Sequence, residues 1–400
     1  MGSFDYACGA ECGIAAQGLA AAANRHWGVG GTGSPSIETS VVRSGARSFR
    51  FATSCWLSKA AVTSSTTVMY GRGYFRVSSV APAAAKIIWW AQTNTVPEPN
   101  IRMSTSGVLQ ACFATTVVQT GPTIEADRWY GYEVEADVSA AVNVIKWRIW
   151  DGRWTDQADA SQNNGAKTIS ETDIGDGAAD CTVYLDDLVG ASGTTAGEFY
   201  SSTTPAGGRV LRYLPTSDGT HSAFTTGDFR DTANANLANT DTNIYTFLDD
   251  DDQTSLADFV RQAVAGAGKY VRLSFADESV YNRPRCVAVT STHHSSGTGA
   301  NEMHLRVSDD GSTWTNIWGN WAATGVDISD TTAHYLHKVM ATKPSGGAWT
   351  NAAVNSTEAE WGNSDDVSAV PYIDSVSLEV DWLDQSYPFR ATTPRATVRR

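Results

Sequence analysis

Adjacent carboxylates are the first residues in this chain whose types could do chemistry. Asp186 and Asp187 stand together in "DCTVYLDDLVGA" (residues 180–191). A related aromatic–aliphatic–aspartate triplet recurs as Tyr372-Ile373-Asp374 in "AVPYIDSVSLEVDW" (residues 369–382). Hydrolysis of a glycosidic bond needs two facing carboxyl groups about 5–9.5 Å apart. Neighbours in a strand point to opposite faces, so Asp186 and Asp187 read as a strand-end residue beside a solvated one, not as an acid–base pair. Asp249 to Asp252 could hold calcium through carboxylate oxygens, but the run lacks the alternate spacing of a dedicated loop and reads as a solvated turn. His293, His294, His334 and His337 are possible metal ligands whose strand spacing makes each pair diverge, which argues against a site.

The other motifs are weaker. GxSxG, a P-loop and a dinucleotide fingerprint do not occur. "GVGGTG" (residues 28–33) has no strand before it and no basic helix after it, so it reads as a loop. "VSDDGSTWT" (residues 307–315) carries the core of an Asp-box, in which Asp309 caps the turn, Gly311 takes positive φ and Trp314 packs underneath. The six cysteines, at 8, 12, 55, 112, 181 and 286, form no CxxC pair and read as buried thiols, with a Cys8–Cys12 bridge open under oxidising conditions. Tryptophans give the best ligand hint. Trp89, Trp90, Trp150 and Trp154 are candidates for glycan or subunit contact, with one of Trp89 and Trp90 expected in the core and the other outside.

The elements that position these residues read as β-strands. Short alternating runs recur with turn signals between them, as in "RWYGYEVEADV", "NVIKWRIWDGRWT" and "DSVSLEVDW". This predicts an all-β protein of two tandem jelly-roll-like β-sandwich domains. The expected plan is an Ala-rich N-terminal docking segment (1–34), a first sandwich (35–190), a Gly/Ser/Thr-rich linker (191–208), a second sandwich (209–384) and a basic C-terminal arm (385–400). Arg390, Arg395, Arg399 and Arg400 are the docking candidates of that arm. A net charge of −14 argues against nucleic-acid binding and against docking on anionic lipid. No apolar run is long enough to cross a bilayer, and residues 13–23 lack the basic start of a signal peptide.

Residues 35–190 resemble a concanavalin A-like (laminin-G-like) jelly-roll domain, on "IETSVVRSGARSFRF", "GYFRV", "IRMSTSGVLQ", "DRWYGYEVEADV", "KWRIWDG" and "VYLDDLVG" in that order. The second half is similar to the companion module of minor tail proteins of tailed bacteriophages, on "RVLRYLPTSDGT" and "AWTNAAVNSTEAEWG". The resemblance implies a non-enzymatic structural protein of the virion, assembled in the host cytoplasm. It would be homo-oligomeric, with other virion proteins as partners and host-surface carbohydrate as a further contact. It brings no catalytic residue, no metal and no cofactor. Two alternatives stand beside it: a capsid decoration or head-fibre protein, and a secreted carbohydrate-binding or glycan-degrading protein.

Overall fold

Four β-sheets are stacked in the computed structural model of the protein, which describes residues 3–9, 28–60, 66–93, 96–193, 208–221, 224–249, 258–264, 269–281, 283–296, 302–318, 326–327, 334–363 and 370–383. The chain is all-β, built as two jelly-roll-like sandwiches, as its alternating runs predict. We number the sheets I to IV in stacking order. Sheet I runs Thr116–Thr123, Val108–Phe113, Val96–Met103, Lys86–Thr93, Glu171–Ile174, Cys55–Ala60, Gly28–Gly31. Sheet II runs Trp154–Asp156, Val142–Trp150, Tyr130–Asp137, Val68–Val77, Val183–Ser192, Ser48–Phe51, Ser36–Glu38. Sheet III centres on the long strands Pro371–Leu383 and Pro284–Ser295, and sheet IV on Val271–Phe275, Glu358–Asn363 and Glu302–Ser308.

Alternation decides which side chains fill each core. Between sheets I and II lie Trp89, Ile101 and Leu57 from one side and Phe75, Trp147 and Leu185 from the other. Between sheets III and IV lie Val289, Leu378 and Val380 facing Leu273, Leu305 and Trp361. Sheets II and III also meet. Val68, Tyr70, Val189 and Ala191 pack against Val210, Cys286 and Ala288. Arg72, wholly buried, reaches from sheet II to Asp381 of sheet III at 2.5 Å, and Arg285 Nε lies 2.8 Å from the same carboxylate. Both faces of Pro371–Leu383 are therefore covered. Val376, Leu378, Val380 and Trp382 face sheet IV, while Ser377, Glu379 and Asp381 on the other face are equally buried.

Three expectations change here. The segment 1–34 is not wholly an arm: Ser3–Cys8 pairs with Val183–Ser192, and Gly28–Gly31 pairs with Cys55–Ala60. "GVGG" is a strand because its bare backbone leaves room for Trp56, into whose ring a Cβ on Gly30 would fall. Trp89 is no surface contact. It is fully buried over Gly71, where a side chain would collide with the indole. The arm with Arg390, Arg395, Arg399 and Arg400, residues 250–252, Cys12 and most of the linker lie outside the described residues. Among the described residues no helix is long and apolar enough to cross a membrane.

Candidate functional site

Sheet I has its outer face on the end of the stack, and one row of residues crosses all seven of its strands. The register runs Gly28, Ser58, Asp173, Trp90, Asn100, Cys112, Val117. The middle of this row is sunk: Asp173, Asn100 and Cys112 are fully buried and Trp90 nearly so. Half-buried Trp56, Ser58, Gln92, Glu171, Arg102 and Gln110 stand around it. The sunken middle and less buried surroundings make the row a polar trench across the strands, with two indoles side by side in it. Trp56 meets Trp90 edge to face, with ring centroids 5.6 Å apart.

Hydrogen bonds fix the floor. Ser58 Oγ donates to Asp173 Oδ1, and Asn100 Nδ2 donates to the Ala114 carbonyl at 2.9 Å. Asp173 Oδ2 is buried with no hydrogen-bond partner. Burial pushes the Asp173 carboxyl up to about 8, the neighbouring Glu171 carboxylate adds to the rise, and the Ser58 hydrogen bond opposes it. At neutral pH the floor therefore carries little charge. Its hydroxyl, amide and carboxyl groups both donate and accept, which suits hydroxyl-bearing ligands more than anions. Sequence reasoning found Trp90 but missed Asp173, Ser58 and Trp56. The missed signal was the shared outward phase of residues 56, 58, 171 and 173.

On sheet II a second row reads Asp186, Tyr74, Gly131, Trp150, Trp154. The Asp151-Gly152 turn, with Gly152 at φ 77°, sets Trp150 and Trp154 opposite one another in the hairpin register. Tyr74 packs against Trp150 at 5.8 Å and Trp154 at 6.2 Å, and the Arg43 guanidinium lies 3.3 Å from the Tyr74 ring centre. Beside them Arg148 pairs with buried Glu133, whose carboxyl burial pushes up to about 7 against the pull of Arg148.

Asp186 and Asp187 depart from their expected geometry. A register shift follows Asp186, and Asp187 takes φ 53°, so the strand bulges and both carboxylates turn to one loop. Asp186 accepts from the Arg43 and Ser44 amides at 3.0 and 3.1 Å. Asp187 accepts from Ser44 Oγ at 2.8 Å and from the Val210 amide at 2.7 Å, and it pairs with Arg43. Neither is solvated; both are fully buried. Asp187, through the Val210 amide, ties the first strand of sheet III to sheet II.

The remaining candidates resolve into structural roles. His294 stacks on Tyr372 at 4.4 Å and meets Asp374 at 2.9 Å, while His293 contacts Ser291 Oγ at 2.7 Å and is pushed down to about 3 by burial, with His334 and His294 adding. No group of three or more metal-donor side chains occurs among the described residues. The Asp-box turn is capped by Asp310, which accepts from the Ser312 and Thr313 amides at 2.8 and 2.6 Å. Asp309, expected in that role, instead binds the Ser345 amide at 2.7 Å and Lys343.

Comparison with known protein families finds no match, and comparison with curated proteins finds none. Solved structures give distant likenesses. The tandem CBM22 domains of a Paenibacillus barcinonensis protein align over 95% of this chain and 97% of their own, at 10% identity and TM-score 0.25. Cellulose induced protein Cip1 aligns over 42% of this chain and 91% of its own, at 15% identity and TM-score 0.30. A Trypanosoma rangeli sialidase mutant aligns over 41% of this chain and 28% of its own, at 8% identity and TM-score 0.29. None of these likenesses carries a function to this chain.

Proposed function

We propose that this chain is a non-enzymatic carbohydrate-binding protein that holds a neutral saccharide across the outer face of sheet I. The observation that carries this reading is the seven-strand row with its buried polar floor and half-exposed walls. A sugar ring stacks its C–H face on an indole and places hydroxyls against fixed polar groups. Trp56 offers the indole. Ser58, already donating to Asp173, keeps its lone pairs for a ligand hydroxyl, and Gln92, Glu171 and Arg102 line the flanks. A glycan array on the purified chain, followed by the Trp56→Ala variant, tests it. Retention of neutral oligosaccharides, weakened at least tenfold (about 1.4 kcal/mol) in a folded Trp56→Ala protein, is expected. No retained neutral glycan overturns the reading.

The virion setting implied by the sequence resemblance belongs to the same proposal. It rests on that resemblance; the seam between sheets II and III only joins the two sandwiches. Immunogold labelling of virions tests it. Gold on the tail is expected, gold confined to the capsid moves the protein to the head-fibre alternative, and unlabelled virions remove it from the particle.

A further inference from the structure

Sheets II and III cover one another over much of their outer faces, so sheets I and IV present the two open ends of the stack. The outer face of sheet IV carries a row of its own. Arg272, Glu360, Arg306 and Asn316 lie side by side across four strands. Glu360 is fully buried and takes both arginines. Its Oε1 accepts from Arg272 Nε at 2.7 Å, and its Oε2 accepts from Arg306 Nε at 2.6 Å. Two rings flank the pair. The Arg272 guanidinium lies 5.5 Å from the Tyr270 ring and 5.0 Å from Trp314, and that of Arg306 lies 5.3 and 4.7 Å from the same rings. The arginine side chains remain 16% and 19% exposed while Glu360 is fully buried, and Arg272 Nη1 also lies 3.5 Å from the Glu358 carboxylate.

Stability alone gives little reason for this arrangement, because partly exposed ion pairs contribute little and a buried carboxylate gains no more than an apolar residue would. Ligand binding does give one. Arginine side chains are costly to immobilise, and here both are already held by Glu360 beside the Tyr270 and Trp314 rings. A pre-ordered pair of planar donors between two rings fits a sugar that offers a two-point oxygen acceptor, either vicinal hydroxyls or a carboxylate. A protein partner is disfavoured. Among the described residues the exposed large hydrophobics are Val29, Val117, Val142, Val264 and Val280, and none lies in a strand of sheet IV.

We propose that Tyr270, Trp314, Arg272 and Arg306 form a second saccharide-binding plate, which makes one chain bivalent with its two faces opposed. The plate stands on its own residues; the bivalence rests on the sheet I reading. Three inter-sheet spacings of about 10 Å put the faces roughly 30 Å apart. The test is titration calorimetry on the full chain with a neutral gluco-oligosaccharide and with a uronic-acid oligosaccharide, and agglutination of a mixture of beads coated with one or the other. At least one saccharide should bind a site that Trp314→Ala removes and that Arg306→Lys weakens tenfold or more, with Trp56→Ala leaving that site intact. The neutral sugar binding there marks diol recognition, and the uronate alone marks carboxylate recognition. Beads should agglutinate with the wild type and not with either tryptophan variant. If Arg306→Lys, which keeps charge and fold, leaves every isotherm unchanged, or if neither sugar binds, the plate is overturned. If Trp56→Ala is silent while Arg306→Lys is not, the sheet I reading fails and the plate stands.

Discussion

Asp173 shows most clearly how a single residue ties the fold to the site. Its carboxyl sits on an outer face yet is wholly buried, with one oxygen held by Ser58 and the other unpartnered. Its folded value of about 8 lies above the ordinary 3.8, so the folded chain binds the proton more tightly than the unfolded chain. The stability linked to that proton is complete below about pH 4 and is lost as pH rises towards 8. Asp173→Asn should therefore match the wild type at pH 4 and be more stable at pH 9, by an amount on the order of 2–5 kcal/mol. Denaturant midpoints across that range check this; parallel curves for the two proteins would refute it. None of this was legible in "SETDIGD", because a carboxylate on a polar strand face reads as solvated. Asp186 and Asp187 misled in the same way. The positive φ that swings Asp187 round to Ser44 is a backbone choice that strand periodicity cannot express.

Among the elements, period-two runs gave reliable strands and an unreliable sense of outside. "VSLEVDW" alternates cleanly, and Val376, Leu378 and Val380 do point into a core. Its polar phase faces another sheet rather than water, since Asp381 has found Arg72 and Arg285 there. Alternation reports polarity, and a second sheet carrying complementary charges satisfies it as well as solvent does. Glycine strands fail for a different reason: "GVGG" has too few side chains to show a period. Gly131 marks a close contact between elements, where a Cβ would come within 2.8 Å of Tyr74, 2.9 Å of Trp154 and 3.0 Å of Trp150. Gly131→Ala should force these rings apart and cost about 1–3 kcal/mol. A change below about 0.5 kcal/mol in the unfolding free energy would show that the hairpin carrying Trp150 and Trp154 yields freely.

At the scale of the whole molecule, the joint between the sandwiches decides whether the ends act as one body. Arg72, Asp381 and Arg285 form a charged link in a seam that also holds an apolar cluster. Removing one member strands buried charge, so Asp381→Asn should destabilise the protein by about 3–5 kcal/mol. Limited proteolysis should then cleave the variant faster than the wild type; unchanged cleavage would mean the apolar contacts suffice. The two-sandwich plan was readable from strand spacing and from the composition change near residue 190. Their stacking was not, because it depends on which polar faces happen to match.

The central claim is that a saccharide lies in the trench of sheet I, and the indole N–H resonances of the 14 tryptophans report on it most directly. On addition of a neutral oligosaccharide retained by the array, the resonances of Trp56 and Trp90 should move together, with Trp89 and Trp147 in the core unmoved. Saturable binding with Trp56 and Trp90 both unchanged would contradict the account.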